Sequence, residues 1–437
     1  MNAILIAVSL MLVLALLRTH VVISLLLGAL AGGLLGGLDL QQTMAAFNKG
    51  ITNGASVALS YAMLGAFAVA IAKSGLPHVL ADAAVSRLEN SSGKNRLKWL
   101  LILMLAVVSV MSQNLVPIHI AFIPLLIPPL LYVMARLQLD RRLVACVMTF
   151  GLVTPYMLFP VGFGDIFLKQ ILLGNIAKAG MDVSGVNVMH AMAIPAAGMV
   201  AGLLLAVFVS YRKPRQYSLG KIENAERTRV HVSRKGVLTA LLAIGCAFAV
   251  QLYSDSMILG ALSGFLLFLA TGALKWHDAD DVFSEGMKLM AMIGFVMITA
   301  QGFAEVLTAT GQIAELVQTS AGLFGGNRGM AAFVMLLVGL VVTMGIGSSF
   351  STVPILTAIY VPLCLQLGFS PLATVAIIGT AGALGDAGSP ASDSTLGPTS
   401  GLNVDGQHDH MRDTVIPTFL HYNLPLLAAG WVAAVVL

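Results

Sequence analysis

Long apolar runs separated by short polar loops make up most of the chain. Runs of about 20 apolar residues are bilayer-length helices, and the period-two alternation of a barrel strand is missing. In the first half the runs fall at 3–17, 21–38 and 55–72, followed by an amphipathic, charged segment at 76–97. Residues 98–135 form a long apolar stretch interrupted by Ser112, Gln113 and Asn114. The next run starts at Leu143, breaks around Thr154, Pro155, Pro160 and Gly162, and continues toward Ile176; 191–211 spans again. After a basic, polar stretch at 212–235 the plan repeats, with runs at 236–253, 257–275 and 287–307 and a small polar segment at 308–329. A second interrupted stretch (330–367) carries Gly347, Ser348, Ser349 and Ser351, and a second broken span is interrupted at 385–399. A polar loop (401–414) and a last apolar run (415–437) close the chain.

The two halves also share residues in order. Gly28–Gly32 (GALAG) matches Gly260–Gly264 (GALSG), Phe47 and Gly50 match Phe283 and Gly286, and Phe67, Ala68 and Gly75 match Phe303, Ala304 and Gly311. Ser112–Ile118 (SQNLVPI) matches Ser349–Ile355 (SFSTVPI), and Leu137–Gly151 matches Leu365–Gly379. Extending that last pairing without a gap sets Asp165 opposite Asp393. Colinear matches at nearly constant offsets indicate a duplication. The expected organisation is a membrane repeat at 1–211, a cytoplasmic linker at 212–235 and a second repeat at 236–437.

Charge adds orientation. If each interrupted stretch is a re-entrant hairpin, each repeat crosses five times and the second is inverted relative to the first. With 212–235 in the cytoplasm, only Lys49, Lys169, Lys178 and Arg328 then fall outside, as the positive-inside rule requires. Two full crossings at 98–135 would instead make the repeats parallel. The expected fold is therefore an all-α polytopic membrane protein of two inverted repeats, each with about five transmembrane helices, a re-entrant hairpin and a broken helix.

Composition agrees: 58% of the 437 residues are hydrophobic, 10% are charged, and the mean hydropathy is +0.91. The net charge of +4 sits in loops and marks no nucleic-acid surface. Cys146, Cys246 and Cys364 lie in apolar runs and read as packing residues. Residues 3–17 lack the basic flank and small-residue site of a cleaved leader, so they read as a retained helix.

The candidate chemistry is in the interruptions. Gly385–Thr399 (GDAGSPASDSTLGPT) holds two carboxylates and five hydroxyls between Gly and Pro. Such backbone cannot face lipid, so it must be buried in protein or line a cavity. An intramembrane carboxylate costs a few kcal/mol unless paired, protonated or bound to a cation. Asp386, Ser389, Ser392 and Asp393 are thus expected cation ligands, with Ser348, Ser349 and Ser351 from one hairpin tip and Ser112, Asn114 and Asp165 from the other half. Gln113, Asn114, Thr154, Thr352, Ser394 and Thr395 are the expected solute ligands. Against these stand ordinary structural roles: hydroxyls bonded back onto their own helices, a carboxylate capping a helix. Glu305 and His119 are weaker candidates, a snorkelling acid and a packed histidine being the alternatives. His408, His410 and His421 have neither the spacing nor the setting of a metal motif, and no G-x-S-x-G or H-E-x-x-H is present to suggest an enzyme.

Gly385–Asn403, followed by Asp405–His410 (DGQHDH) and Pro417–Asn423 (PTFLHYN), resembles the NhaC-like Na⁺/H⁺ antiporter family, closest to a branch thought to carry amino acids. The family belongs to the ion-transporter superfamily, whose dicarboxylate carriers have two inverted repeats. The resemblance implies sodium sites where hairpin tips meet broken helices: Ser112, Gln113 and Asn114 with the 154–165 break, and Ser348, Ser349 and Ser351 with Asp386, Ser389, Ser392 and Asp393. Dicarboxylate carriers have Ser-Asn-Thr at both tips, whereas these tips read Ser-Gln-Asn and Ser-Ser-Phe-Ser, which argues against a dicarboxylate. A homodimer with an elevator-type motion is a further implication. The expectation is a secondary transporter of the inner membrane, not an enzyme. It has no cofactor beyond Na⁺ as coupling ion, and its partners are lipid and a small solute, an amino acid. Na⁺/H⁺ exchange at Asp386 and Asp393 is the alternative.

Overall fold

The computed structural model describes residues 2–17, 19–76, 79, 94–114, 123–161, 163–225, 233–254, 256–312, 315 and 327–437. Among these the regular structure is all helix, without strands. Among the described residues, five helices are long and apolar enough to cross a membrane, or six if Arg141–Leu158 and Phe163–Lys178, bent by 53° at their break, form one span. Their burial sorts them. Only 28% of the apolar window of Arg234–Ser254 is covered by protein, against 94% for Pro371–Leu402. The first has lipid as its natural neighbour. The second is an interior element, as its polar content demands.

Two helices longer than the apolar runs within them pack along each other: Leu40–Lys73 and Ala279–Ala309. Gly50 packs on the backbone of Gln301 and Gly302, and Gly65 on that of Gly286. The order of contacts reverses, so these counterparts from the two halves run antiparallel. A Cβ on Gly50 would come within 2.3 Å of the Gln301 carbonyl; only glycine lets the backbones approach this closely.

The interrupted stretches fold as helical pairs. In the second half, Arg328–Ile346 ends on Gly347 (φ +71°), and Ser349–Leu367 starts two residues later with Ser348 as N-cap. In the first half, Lys94–Asn114 and Ile123–Arg136 flank the corresponding tip. Ser112, Gln113 and Asn114 fall in the last turn of the first of these helices. The tip itself, with His119, lies outside the described residues, as do most of the 76–97 and 308–329 segments.

Both broken spans are broken, at different lengths. The first helix ends at Leu158 and resumes at Phe163, running into a π-helical segment, Ile166–Leu173. The second ends at Ala383, passes through Gly385 (φ +85°) and a single 3₁₀ turn at Asp386–Gly388, and resumes as Asp393–Leu402. The hairpin and this break interlock. A Cβ on Gly347 would meet the Ala391 carbonyl at 2.8 Å, and one on Gly385 the Met344 nitrogen at 2.7 Å.

Candidate cation site

Asp386 is the centre of the second break. It is 5% exposed, and hydroxyls from three separate elements converge on its carboxylate. Ser392, the N-cap of Asp393–Leu402, donates to Oδ1 at 2.5 Å. Tyr156, from the end of the first broken helix, donates to Oδ2 at 2.5 Å. Ser349, at the hairpin tip, lies 3.1 Å from the same oxygen and 2.7 Å from the Tyr156 hydroxyl. The Ser394 hydroxyl stands 3.4 Å from both Asp386 Oδ1 and Asp393 Oδ1, bridging the two acids. Asp393 itself is the first residue of its helix, where the N-terminal end of the helix dipole favours negative charge. The pieces are held by caps: Asn423 Oδ1 accepts from the Gly385 N–H at 3.3 Å, Ser389 donates to the Met344 carbonyl at 2.9 Å, and Thr149 to the Ser394 carbonyl at 2.9 Å.

The structure thus brings Asp386, Ser349, Ser392, Asp393 and Ser394 together and gives other residues different work. The Ser389 hydroxyl ties the break to the hairpin instead of facing Asp386. Thr352 donates to the Ser348 carbonyl, and Thr395 to the Ser389 and Ser392 carbonyls, so both hydroxyls are engaged by backbone. Ser348 caps its helix with no side-chain hydrogen bond. Thr154 is buried and its hydroxyl has no partner among the described residues; it lies one turn from Gly151, which packs on Ser109. Asp165 already has a counter-ion: Lys169, one turn on, reaches it at 2.5 Å, and the acid is 36% exposed. Glu305 is likewise paired, with Lys49. Ser112, Gln113, Asn114 and Ser351 are helical, and their side chains lie outside what the structure describes. Tyr156 is the participant that sequence reasoning missed. It sits in an apolar run, with its ring on Phe163 and Phe167 (centroids 5.9 and 4.9 Å apart). Its place just before the break is the signal that could have flagged it. Among the described residues no three His, Cys, Asp or Glu side chains converge as a metal centre.

At the other end of Asp393–Leu402 a clamp fixes the half-helix. Arg141 forks onto Asp405 (2.6 and 2.7 Å) and donates to the Leu402 carbonyl at 2.8 Å, with both charged side chains fully buried. Its guanidinium lies 4.3 Å from the ring centre of Tyr217. Burial opposes ionisation of Asp405, but the Arg141 bonds and charge outweigh it and hold the acid below the usual carboxylate range. Arg215, from the linker, adds a bond to Asp413 at 2.7 Å.

Spanning helices interrupted around a buried, hydroxyl-ringed carboxylate define a membrane transporter. Sequence comparison agrees: the Na⁺/H⁺ antiporter family matches residues 147–431, and a second Na⁺-H⁺ antiporter family matches residues 2–88. The chain belongs to the Na⁺/H⁺ antiporter family. It is 56% identical to an uncharacterized membrane protein of Vibrio parahaemolyticus, over 100% of both chains. It is 55% identical to Bacillus subtilis YuiF, provisionally named an amino acid transporter, again over 100% of both. Among solved structures, Neisseria gonorrhoeae MtrF, titled as one of a class of antimetabolite efflux pumps, matches at 16% identity and TM-score 0.42, covering 90% of this chain and 83% of that one. That last likeness is too slight to build on.

Proposed function

We propose that the protein is a secondary transporter of the cytoplasmic membrane that uses a Na⁺ or H⁺ gradient to move a small solute, an amino acid, with Asp386 as the coupling-ion ligand. The observation that carries this is the buried Asp386 carboxylate ringed by Ser349, Ser392 and Tyr156. Each hydroxyl has one hydrogen and two lone pairs. The same oxygens that donate to a bare carboxylate can rotate and present lone pairs to a hard cation seated beside it. The ligands come from a hairpin tip, a helix break and a neighbouring broken helix. Ion binding therefore draws three elements together, which is what coupling to a movement needs. One Na⁺ crossing 100 mV releases about 2.3 kcal/mol, enough to concentrate a solute tens-fold. The antiparallel packing of Leu40–Lys73 on Ala279–Ala309 supports halves that are inverted relative to one another. The amino acid is suggested by the name of the YuiF relative.

A second reading, Na⁺/H⁺ exchange without a solute, is favoured by one feature. Ser394 bridges two carboxylates, Asp386 and Asp393, that could hold a proton and Na⁺ alternately. Proteoliposomes separate the two. The first reading predicts that an inward Na⁺ or H⁺ gradient drives accumulation of a labelled amino acid. If a full amino acid panel shows no accumulation while a Na⁺ gradient drives proton movement, the second reading replaces it.

A further inference from the structure

A buried histidine, His408, and a half-buried one, His410, beside the break are joined by two threonines in an unbroken string. His410 Nε2 lies 3.0 Å from the Pro390 carbonyl, and its Nδ1 2.8 Å from the Thr399 hydroxyl. Thr399 lies 2.9 Å from the Thr414 hydroxyl, which is 2.7 Å from His408 Nε2. The other ring nitrogen of His408, Nδ1, is buried with no partner among the described residues.

The hydrogens are assigned by chemistry. A carbonyl only accepts, so His410 Nε2 bears a hydrogen, and in the neutral ring Nδ1 is left as a lone pair. Thr399 supplies the hydrogen to it. Thr399 also lies 3.0 Å from the Thr395 carbonyl, but the ring is the nearer acceptor. As placed, the Thr399 hydroxyl donates to Thr414 at 2.9 Å, the order of the string once His410 is charged; with His410 neutral both hydroxyls turn, Thr414 donating to Thr399 and His408 Nε2 to Thr414. Every donor points the same way, and the string ends in a bare nitrogen at His408, one residue from the exposed loop position Asp409.

We propose that His408, Thr414, Thr399 and His410 form a proton relay that loads a second protonation site, His410, against the break. A proton binding His408 Nδ1 releases the Nε2 hydrogen to Thr414; Thr414 passes its own to Thr399, and Thr399 its own to His410 Nδ1. His408 ends neutral with its hydrogen moved to Nδ1, and His410 ends as imidazolium. Pro390 lies in the same break as Asp386, Ser389 and Ser392. The charge on His410 therefore repels a cation there, so proton and Na⁺ oppose each other. The groups facing His408 are Asp413 from the last span, Arg141 from the first broken helix, Arg215 from the linker, and His410; Asp409 faces His410. The two arginines discourage a charge from resting on His408, which suits a donor that hands its proton on.

The antagonism with Na⁺ rests on Asp386 as the ion ligand; the relay does not. The test uses the full chain in proteoliposomes with an internal pH dye, and compares native protein with Thr414→Val and His408→Gln. The glutamine keeps a nitrogen donor for Thr414 but has no ring to take up a proton. Proton flux is expected to fall about tenfold or more in both. ²²Na⁺ binding should stay within about twofold, because neither side chain touches the ion ligands. Native-like proton flux in either variant, or no proton flux in native protein, overturns the relay. A native protein that binds no Na⁺, yet whose potential-driven proton flux falls in both variants, upholds the relay and refutes the Asp386 reading instead.

Discussion

Replacing Asp405 by asparagine removes one charge and leaves the Arg141 guanidinium buried without its counter-ion. The native pair is bidentate at 2.6 and 2.7 Å, and neither side chain is exposed at all. Breaking such a pair from one side costs about 3–5 kcal/mol, because the orphaned charge cannot reach water. In a chain of this length roughly 2 °C or less is lost per kcal/mol, so the midpoint of thermal unfolding in detergent should fall by about 5–10 °C. The cost should be largely a product of the orphan. Asp405→Asn combined with Arg141→Gln, which buries two neutral groups, should therefore melt well above Asp405→Asn alone. The clamp also holds the Leu402 carbonyl at the end of the half-helix that begins at Asp393, so Na⁺ affinity should fall alongside stability. The reasoning fails if Asp405→Asn melts within about 1 °C of native protein, or if the double variant is no better than the single one.

Other consequences follow from the same geometry. Burial pushes the His408 imidazole down to about 3. Its pKa is lower in the fold than in the unfolded chain, so the unfolded state takes the proton first on acidification; stability is full above about pH 6.5 and declines below it, by about 2 kcal/mol at pH 5. Thermal melts at pH 7 and pH 5 should differ accordingly, and His408→Gln should flatten the difference; a variant with the native slope would rule His408 out as its source. Gly385→Ala forces a side chain into a left-handed conformation and against the Met344 nitrogen, costing at least about 1–2 kcal/mol. It should lower the melting midpoint and transport together, and a neutral outcome would mean that the break is not shaped as described. Tyr156→Phe keeps the ring contacts and deletes one charge-assisted hydrogen bond to Asp386. That bond is worth about 1.5–3 kcal/mol, so the apparent Na⁺ affinity should change about tenfold or more while expression is unaltered. An affinity that does not move would remove Tyr156 from the site.

Much of the candidate site was legible because membrane burial makes polarity conspicuous. Asp386, Ser392, Asp393 and Ser394 stand out in an apolar chain, and the glycines and prolines around them announce a break. What misled was register. Pairing Asp165 with Asp393 assumed breaks of equal length, yet the first resumes at Phe163 and the second only at Asp393. Asp165 also has Lys169 one helical turn away, a local ion pair readable in hindsight. Hydroxyl count overstated the ligands too. Thr352, Ser389 and Thr395 look alike in sequence, but each spends its hydrogen on a backbone carbonyl. Tyr156 was hidden for the opposite reason, since an aromatic in an apolar run reads as core until the fold aims its hydroxyl at Asp386.

The central claim is that the Asp386 carboxylate holds the coupling cation, and ²²Na⁺ binding to purified protein tests it most directly. Asp386→Asn keeps the size of the side chain and removes its charge. At an effective dielectric of about 20 that charge is worth about 4 kcal/mol to a cation about 4 Å away. Affinity should therefore drop about a thousandfold while the protein still folds and purifies as native. Saturable Na⁺ binding in Asp386→Asn within a few-fold of native affinity would contradict the account.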